Sequence, residues 1–542
     1  MRSDMVKPPT ITIVLLVAPF LGCKSAEEWR QDADDEVYPI LAQRRGEVGA
    51  TDPFTVERPP DRLRERLLAA PPELLPLDLV TCLQVAAENS RDWQDQREAL
   101  FRSALDLTLE RWNYSVQQNG TIAAFVNGTG REAESAGFLS NLNLFKLLGI
   151  GTKITGDIGI DFLRDVGQGD GWDAISHLSL NITQPIMRGF GEDIVMEPLT
   201  QAERDVLYQA RAYERFRVTF SVDIAQRFFR VLEQVDRLKN EEANYTNLTE
   251  LRQRNEALAE AGRLTDIQVD QARQDELSAE DRLVAARRDL AAALDDLKFQ
   301  LGLPIEVEIV LEEHGLRSLD SWQGLVADMQ EPEVVATGLA HRLDHLTTLD
   351  RVVDAERGAH VAADALRMGF DIVAGANADS VEGKPSDFSS DDFTWTAGLA
   401  IDLPIDRIPE RNAYRSALIA REASLRDAEE SVDRITSELR DDLRNLQAAR
   451  ASYDIQSGSV TLAERRVESA ALNLDAGRAD TRDVLEAQES LLDAQNTLAA
   501  SLTDTILAGL FLYRDMEQLE VTDQGIRIRP EPAPPAEEEP RP

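Results

Sequence analysis

The chain has 542 residues, 43% of them hydrophobic and 29% charged, so most of it can fold around a core. Asp and Glu number 98 against 58 Lys and Arg, a formal net charge of −40. That balance excludes a nucleic-acid surface, which needs basic side chains to replace counterions. Two cysteines and five histidines leave no disulfide framework and little imidazole chemistry.

Arg2 and Lys7 precede a short apolar core, Ile11 to Phe20, which is too short to span a bilayer and reads as a secretory signal over residues 1–22. Phe20-Leu21-Gly22-Cys23 resembles the cleavage box of bacterial lipoproteins, which makes Cys23 the expected lipidation site. Lys24 after it favours the outer membrane by the same analogy. Residues 23–76 are charged and punctuated by proline and read as an extended, lipid-anchored tether with one short helix. Cys82 lies in an apolar run and reads as a small buried hydrophobe.

Two internal repeats follow, expected over residues 77–304 and 335–518, with a linker at 305–334 and a disordered Pro- and Glu-rich tail at 519–542. Ala261-Gly262-Arg263 recurs as Ala476-Gly477-Arg478, 215 positions later, and Val269, Ala272 and Leu277 match Val484, Ala487 and Leu492 at that offset. Each repeat predicts a helix (about 78–112, then 335–368), a strand pair (about 150–187, then 370–404) and a very long helix (about 197–261, then 410–475). A glycine turn then leads to a helix of about 35 residues (266–301, then 481–516). At 1.5 Å per residue the long helix reaches about 95–100 Å, nearly the length of its two shorter neighbours placed end to end.

The long helices carry apolar residues every three or four positions, as in Phe220, Ile224, Phe228, Val231, Val235 and Leu238. A second stripe of Val218, Ala225, Phe229 and Leu232 predicts packing on two sides, as in a closed wall of helices. The strand segments alternate with period two. Ile158, Ile160 and Phe162 are separated by Gly159 and Asp161, and Phe393, Trp395, Ala397 and Leu399 by Thr394, Thr396 and Gly398. Runs of about ten residues with one apolar and one polar face fit a tilted crossing of an outer membrane with a wet interior. Four such strands close no barrel alone, so the chain is expected to oligomerise, twelve strands coming from a trimer.

Taken together, these features resemble the TolC-like outer-membrane efflux proteins over nearly all of residues 75–518. Asp483-Val484-Leu485-Glu486-Ala487 is similar to the family's second helix-turn. Thr183 to Gly191 and Leu403 to Arg407 are similar to its two strand-to-helix junctions. The resemblance implies a mixed α/β membrane protein, mainly α: long coiled-coil hairpins form a trimeric α-barrel, and four strands per chain build a twelve-stranded β-barrel. It implies a homotrimeric exit duct for efflux or type I secretion, served by a periplasmic adaptor and an inner-membrane pump. Asp483 and Glu486 would ring the periplasmic constriction, and Gly262, Arg263, Gly477 and Arg478 would meet the adaptor at the helix-turns. Ala479 stands where an Arg that latches the closed state is expected, so the latch does not carry over.

His341 and His345, four apart on a helix, lack a third ligand, and no serine elbow, P-loop or catalytic carboxylate pair is visible. No enzyme, cofactor, metal or nucleic-acid partner is expected. The alternative from another class is a lipid-tethered periplasmic coiled-coil structural or adaptor protein, with the strands as a soluble sheet.

Overall fold

The computed structural model describes residues 24–50, 52–70, 74–129, 132–165, 171–311, 329–403, 405–522 and 524–529. The signal segment, Cys23, Pro404 and the end of the tail lie outside them. Two helical hairpins run the length of the molecule, and a six-stranded sheet stands on one end of them.

Among the described residues of 24–76 the chain is not an extended tether. Helix α1 (Ala26–Glu47) is capped by Ser25 and Glu28 and packs on the body through Val37, Ile40 and Leu41. Buried Arg45 anchors its end, with Nε donating to Glu214 at 2.8 Å. A short α2 (Leu63–Ala69) and strand β1 (Leu75–Leu77) follow. The first predicted helix is two, α3 (Leu79–Asn89) and α4 (Arg91–Asn113), because Ser90 adopts extended backbone between them. Its counterpart breaks likewise at Arg342 into α8 (Glu331–His341) and α9 (Leu343–Asp364).

Between these pairs, α5 (Glu192–Val195) leads to α6 (Glu197–Glu260), which turns into α7 (Asp266–Gln300). In the second half α10 (Ile408–Asp475) turns into α11 (Thr481–Asp515). Both long helices open with proline in the first turn, where its missing N–H costs no hydrogen bond. Helix α6 lies against α4 over one half of its length and α7 over the other, and α10 lies against α8, α9 and α11. At 64 residues α6 is about 96 Å long.

The largest core sits at the waist, where Phe228, Phe229 and Ile224 of α6 meet Leu297 and Leu301 beyond them. Small elements belt it. Strand β1 pairs in parallel with β6 (Ile309–Leu311), and β9 (Leu519–Thr522) pairs with β10 (Gly525–Ile528). Residues 519–522 and 525–528 are therefore paired strands, with Leu519 and Ile526 buried in that core, and not the start of a disordered tail.

The sheet departs from the expected four strands. Its order is β2 (Gln117–Thr129), β3 (Glu132–Leu147), β4 (Lys153–Asp165), β5 (Asp173–Pro185), β7 (Gly369–Ser380) and β8 (Phe388–Asp402), every neighbour antiparallel. The unexpected pair β2–β3 leaves α4 directly and returns through a turn at Leu148–Thr152 into β4. This turn is tightly built. Gly151 has φ of +93°, and a Cβ there would lie 2.4 Å from the Gly189 carbonyl oxygen. Beside it, the Thr152 hydroxyl donates to Gln184.

Candidate functional site

Two regions carry the chemistry expected of a conduit: the sheet and the far tip of the hairpins. In the sheet, register sorts side chains to two faces. On one face Ile158 of β4 opposes Leu178, which opposes Ala378, and Ala378 opposes Phe393. Trp395 on that face is 72% exposed. On the other face Asp157 opposes Ser179, which opposes Asn377, and Asn377 opposes Thr394. A soluble sheet would not leave such an apolar face open to water. No helix among the described residues is long and apolar enough to cross a membrane.

At the tip the two glycine turns are superimposable in their bonding. Gly262 and Gly477 both have φ of +68°, a region that glycine enters without steric cost. Arg263 N–H reaches back to Leu258, as Arg478 N–H does to Asn473. Capping boxes then start the next helices, Thr265 with Gln268 and Asp480 with Asp483.

The predicted acidic residues have local partners here. The Asp483 carboxylate accepts from the Asp480 N–H at 2.9 Å, and Glu486 accepts from Arg482 at 3.0 Å. Both are exposed. Nearby on α7, burial and then the Glu489 carboxylate push Asp275 above the usual carboxylate range. Of the two acids, Glu486 is ion-paired within the chain to Arg482.

Sequence reasoning missed how the hairpins are joined. Beneath the sheet the joint is ionic: Arg211 donates to Asp350 at 2.7 Å, Arg357 to Glu197 at 2.8 Å, and the Tyr208 hydroxyl to Asp354 at 2.6 Å. Nearer the tip, amides and hydroxyls join them. Asn240 Nδ2 donates to Asn496 at 2.9 Å, and Asn255 Nδ2 to the Thr481 hydroxyl at 3.2 Å. Asn255 and Thr481 are each 0% exposed, beside an apolar cluster of Leu248, Leu251, Val484 and Leu485. These pairs span more than 220 residues of chain, so no local pattern could flag them.

His341 and His345 do not converge. His345 is buried with Nδ1 against the Ser431 hydroxyl, whereas exposed His341 has Nδ1 against the Thr337 carbonyl. Cys82 is buried, and burial pushes its thiol up to about 12.

Residues 339–514 match the family model described as outer membrane efflux protein. That match covers about a third of the chain, within its second half. Solved outer-membrane channels share its fold. The outer membrane protein VceC of Vibrio cholerae is 16% identical with a TM-score of 0.59, over 81% of this chain and 95% of its own. The CmeC channel of Campylobacter jejuni is 15% identical at 0.58, over 81% and 85%. The MtrE channel of Neisseria gonorrhoeae, solved in an open state, is 12% identical at 0.54, over 81% and 88%. No curated protein sequence matches. At these identities the likeness to solved channels is one of fold.

Proposed function

We propose that this chain works as a homotrimeric, passive exit duct, with its strands sealed into a membrane barrel and its hairpins closed into a hollow cylinder in the periplasm. The observation that carries the reading is the amphipathic sheet, apolar on one exposed face and polar on the other, mounted on helices that reach about 100 Å. Cys23, outside the described residues, carries the lipid anchor. The turns at Gly262-Arg263 and Gly477-Arg478 meet a periplasmic adaptor, which couples the duct to an inner-membrane pump.

Gating follows from the unequal joint between hairpins. Ionic links hold them together beneath the sheet, and neutral amide links serve near the tip, so the tips splay first. Three copies of Asp483 and Glu486 bring carboxylates close at the constriction, where like charges favour cations. The Arg482–Glu486 pair moderates that ring, so Asp483 supplies the less compensated charge. Neutralising both acids, Asp483→Asn with Glu486→Gln, is expected to raise conductance in planar bilayers and reduce cation preference. Unchanged current and selectivity would refute the gate assignment.

The tethered-spacer alternative predicts that Cys23→Ser releases the protein into buffer. The duct predicts that the same variant still requires detergent, because its apolar strand face remains in lipid.

A further inference from the structure

The strands β2 and β3 have no place in a four-strand contribution, yet they are built as membrane wall. We infer that the β2–β3 hairpin lies in the barrel, that β8 of one copy pairs with β2 of the next, and that three copies close eighteen strands. The inference rests on the duct reading above and changes what kind of barrel it is.

Face continuity is the first support. The apolar face of β4 continues across β3 and β2, interrupted at its centre only by Ser140: Phe162 opposes Phe138, which opposes Ala124, and Ile158 opposes Leu142. Ile122 and Val126 on that face are 73% and 71% exposed, matching Trp395 at the other end of the sheet. The polar face extends too, since Asn141 opposes Thr121 and Asn143 opposes Asn119. A hairpin lying in water outside the wall would have no reason to keep one side apolar in register with lipid-facing strands.

Length and parity agree. Strands β2 and β3 have 13 and 16 residues, against the roughly 9–11 that a tilted crossing needs. Six alternating strands place β2 and β8 antiparallel to each other, so identical copies join edge to edge by the same pairing as every internal neighbour. With three copies the count is six times three, an even number.

The alternative closure is costly. For a twelve-stranded ring, β8 of a neighbour must pair with β4, whose two edges are already taken by β3 and β5. The β3–β4 ladder would have to open from Ser135↔Asp165 to Leu147↔Lys153, and the freed β3 edge would have to leave the bilayer, where an unpaired backbone finds no water. Its base at Gly151 and Thr152 is locked against β5 and the segment after it. Barrel diameter grows roughly in proportion to strand number, so the eighteen-stranded ring is about one and a half times as wide as a twelve-stranded one, in the range of water-filled porins.

The direct test is a cryo-electron microscopy map of the full-length protein in lipid nanodiscs. Eighteen strands per ring with β8 hydrogen-bonded to β2 of the neighbouring copy is expected. Twelve strands with β2–β3 outside the wall overturns the inference. A second test uses bimane on single cysteines in vesicles of brominated phosphatidylcholine, buried Cys82 staying unlabelled. Quenching at Ile122→Cys is expected within about twofold of that at Trp395→Cys, both sites facing lipid. Quenching at Trp395→Cys alone overturns the inference and leaves the duct standing. Quenching at neither site overturns both.

Discussion

The buried pair Asn255–Thr481 is the most informative place to perturb the hairpin joint. In Thr481→Val the Asn255 amide loses its partner, and its Oδ1 already has none in the protein. Leaving a buried amide unpaired costs about 1–3 kcal/mol. Splaying the tips lets water reach it, so the cost falls on the closed state alone. Even about 1 kcal/mol per copy sums to about 3 kcal/mol when three copies open together, roughly a hundredfold in the opening equilibrium. Asn255→Leu with Thr481→Val removes both polar groups and should return the closed state to near the parent's stability, since an apolar pair of similar shape needs no hydrogen bond. Single-channel recording in planar bilayers reads open probability for the parent, each single variant and the double. The reasoning is wrong if Thr481→Val opens no more often than the parent, or if the double variant is as open as the single.

Arg45→Met should loosen α1 from the body by roughly 2–3 kcal/mol, less than the usual loss for a broken buried pair because Arg217 still holds Glu214 at 2.7 Å; limited proteolysis near residue 50 measures it. Gly151→Ala forces a side chain into a left-handed turn against the Gly189 carbonyl and should cost about 1–3 kcal/mol, seen as a lower dissociation temperature of the trimer. Asp442 is pushed up to about 7 by burial and by Asp515, with Glu438 adding and Arg514 opposing. The folded state therefore holds a proton that the unfolded chain, with its ordinary value of 3.8, releases, so stability declines as pH rises from about 4 to about 7. Asp442→Asn should flatten that part of the profile, read as the difference in melting temperature between pH 5 and pH 8. An unchanged slope would show that other groups set it.

The long helices were legible because their signals are redundant. Apolar stripes at spacings of three and four mark the middle of α6 and α10, and the glycines that end these helices are the residues suited to a φ of +68°. Strands β4, β5, β7 and β8 were legible because one face is polar enough to leave a clean alternation. Helix α1 was hidden by its charge: only a narrow stripe of Val37, Ile40 and Leu41 is buried, and Pro39 lies inside it. Arg45 finds its partner 169 residues away, beyond any local window.

Strands β2 and β3 were hidden for a different reason. The run Ile122-Ala123-Ala124-Phe125-Val126 is apolar on both faces, so period two vanishes at the strand centre. Register supplies the missing explanation. Phe125 opposes Gly137 on the inner face, and a Cβ at Gly137 would lie 2.6 Å from the Phe125 ring. The ring covers the glycine of the neighbouring strand, as aromatic side chains do where a sheet has a gap. His177 does the same over Gly159, one strand pair further along. An aromatic residue on a polar face is thus a packing partner for a glycine across the ladder. That pairing spans 12 residues of chain in one case and 18 in the other, and it becomes visible only once the strands are aligned.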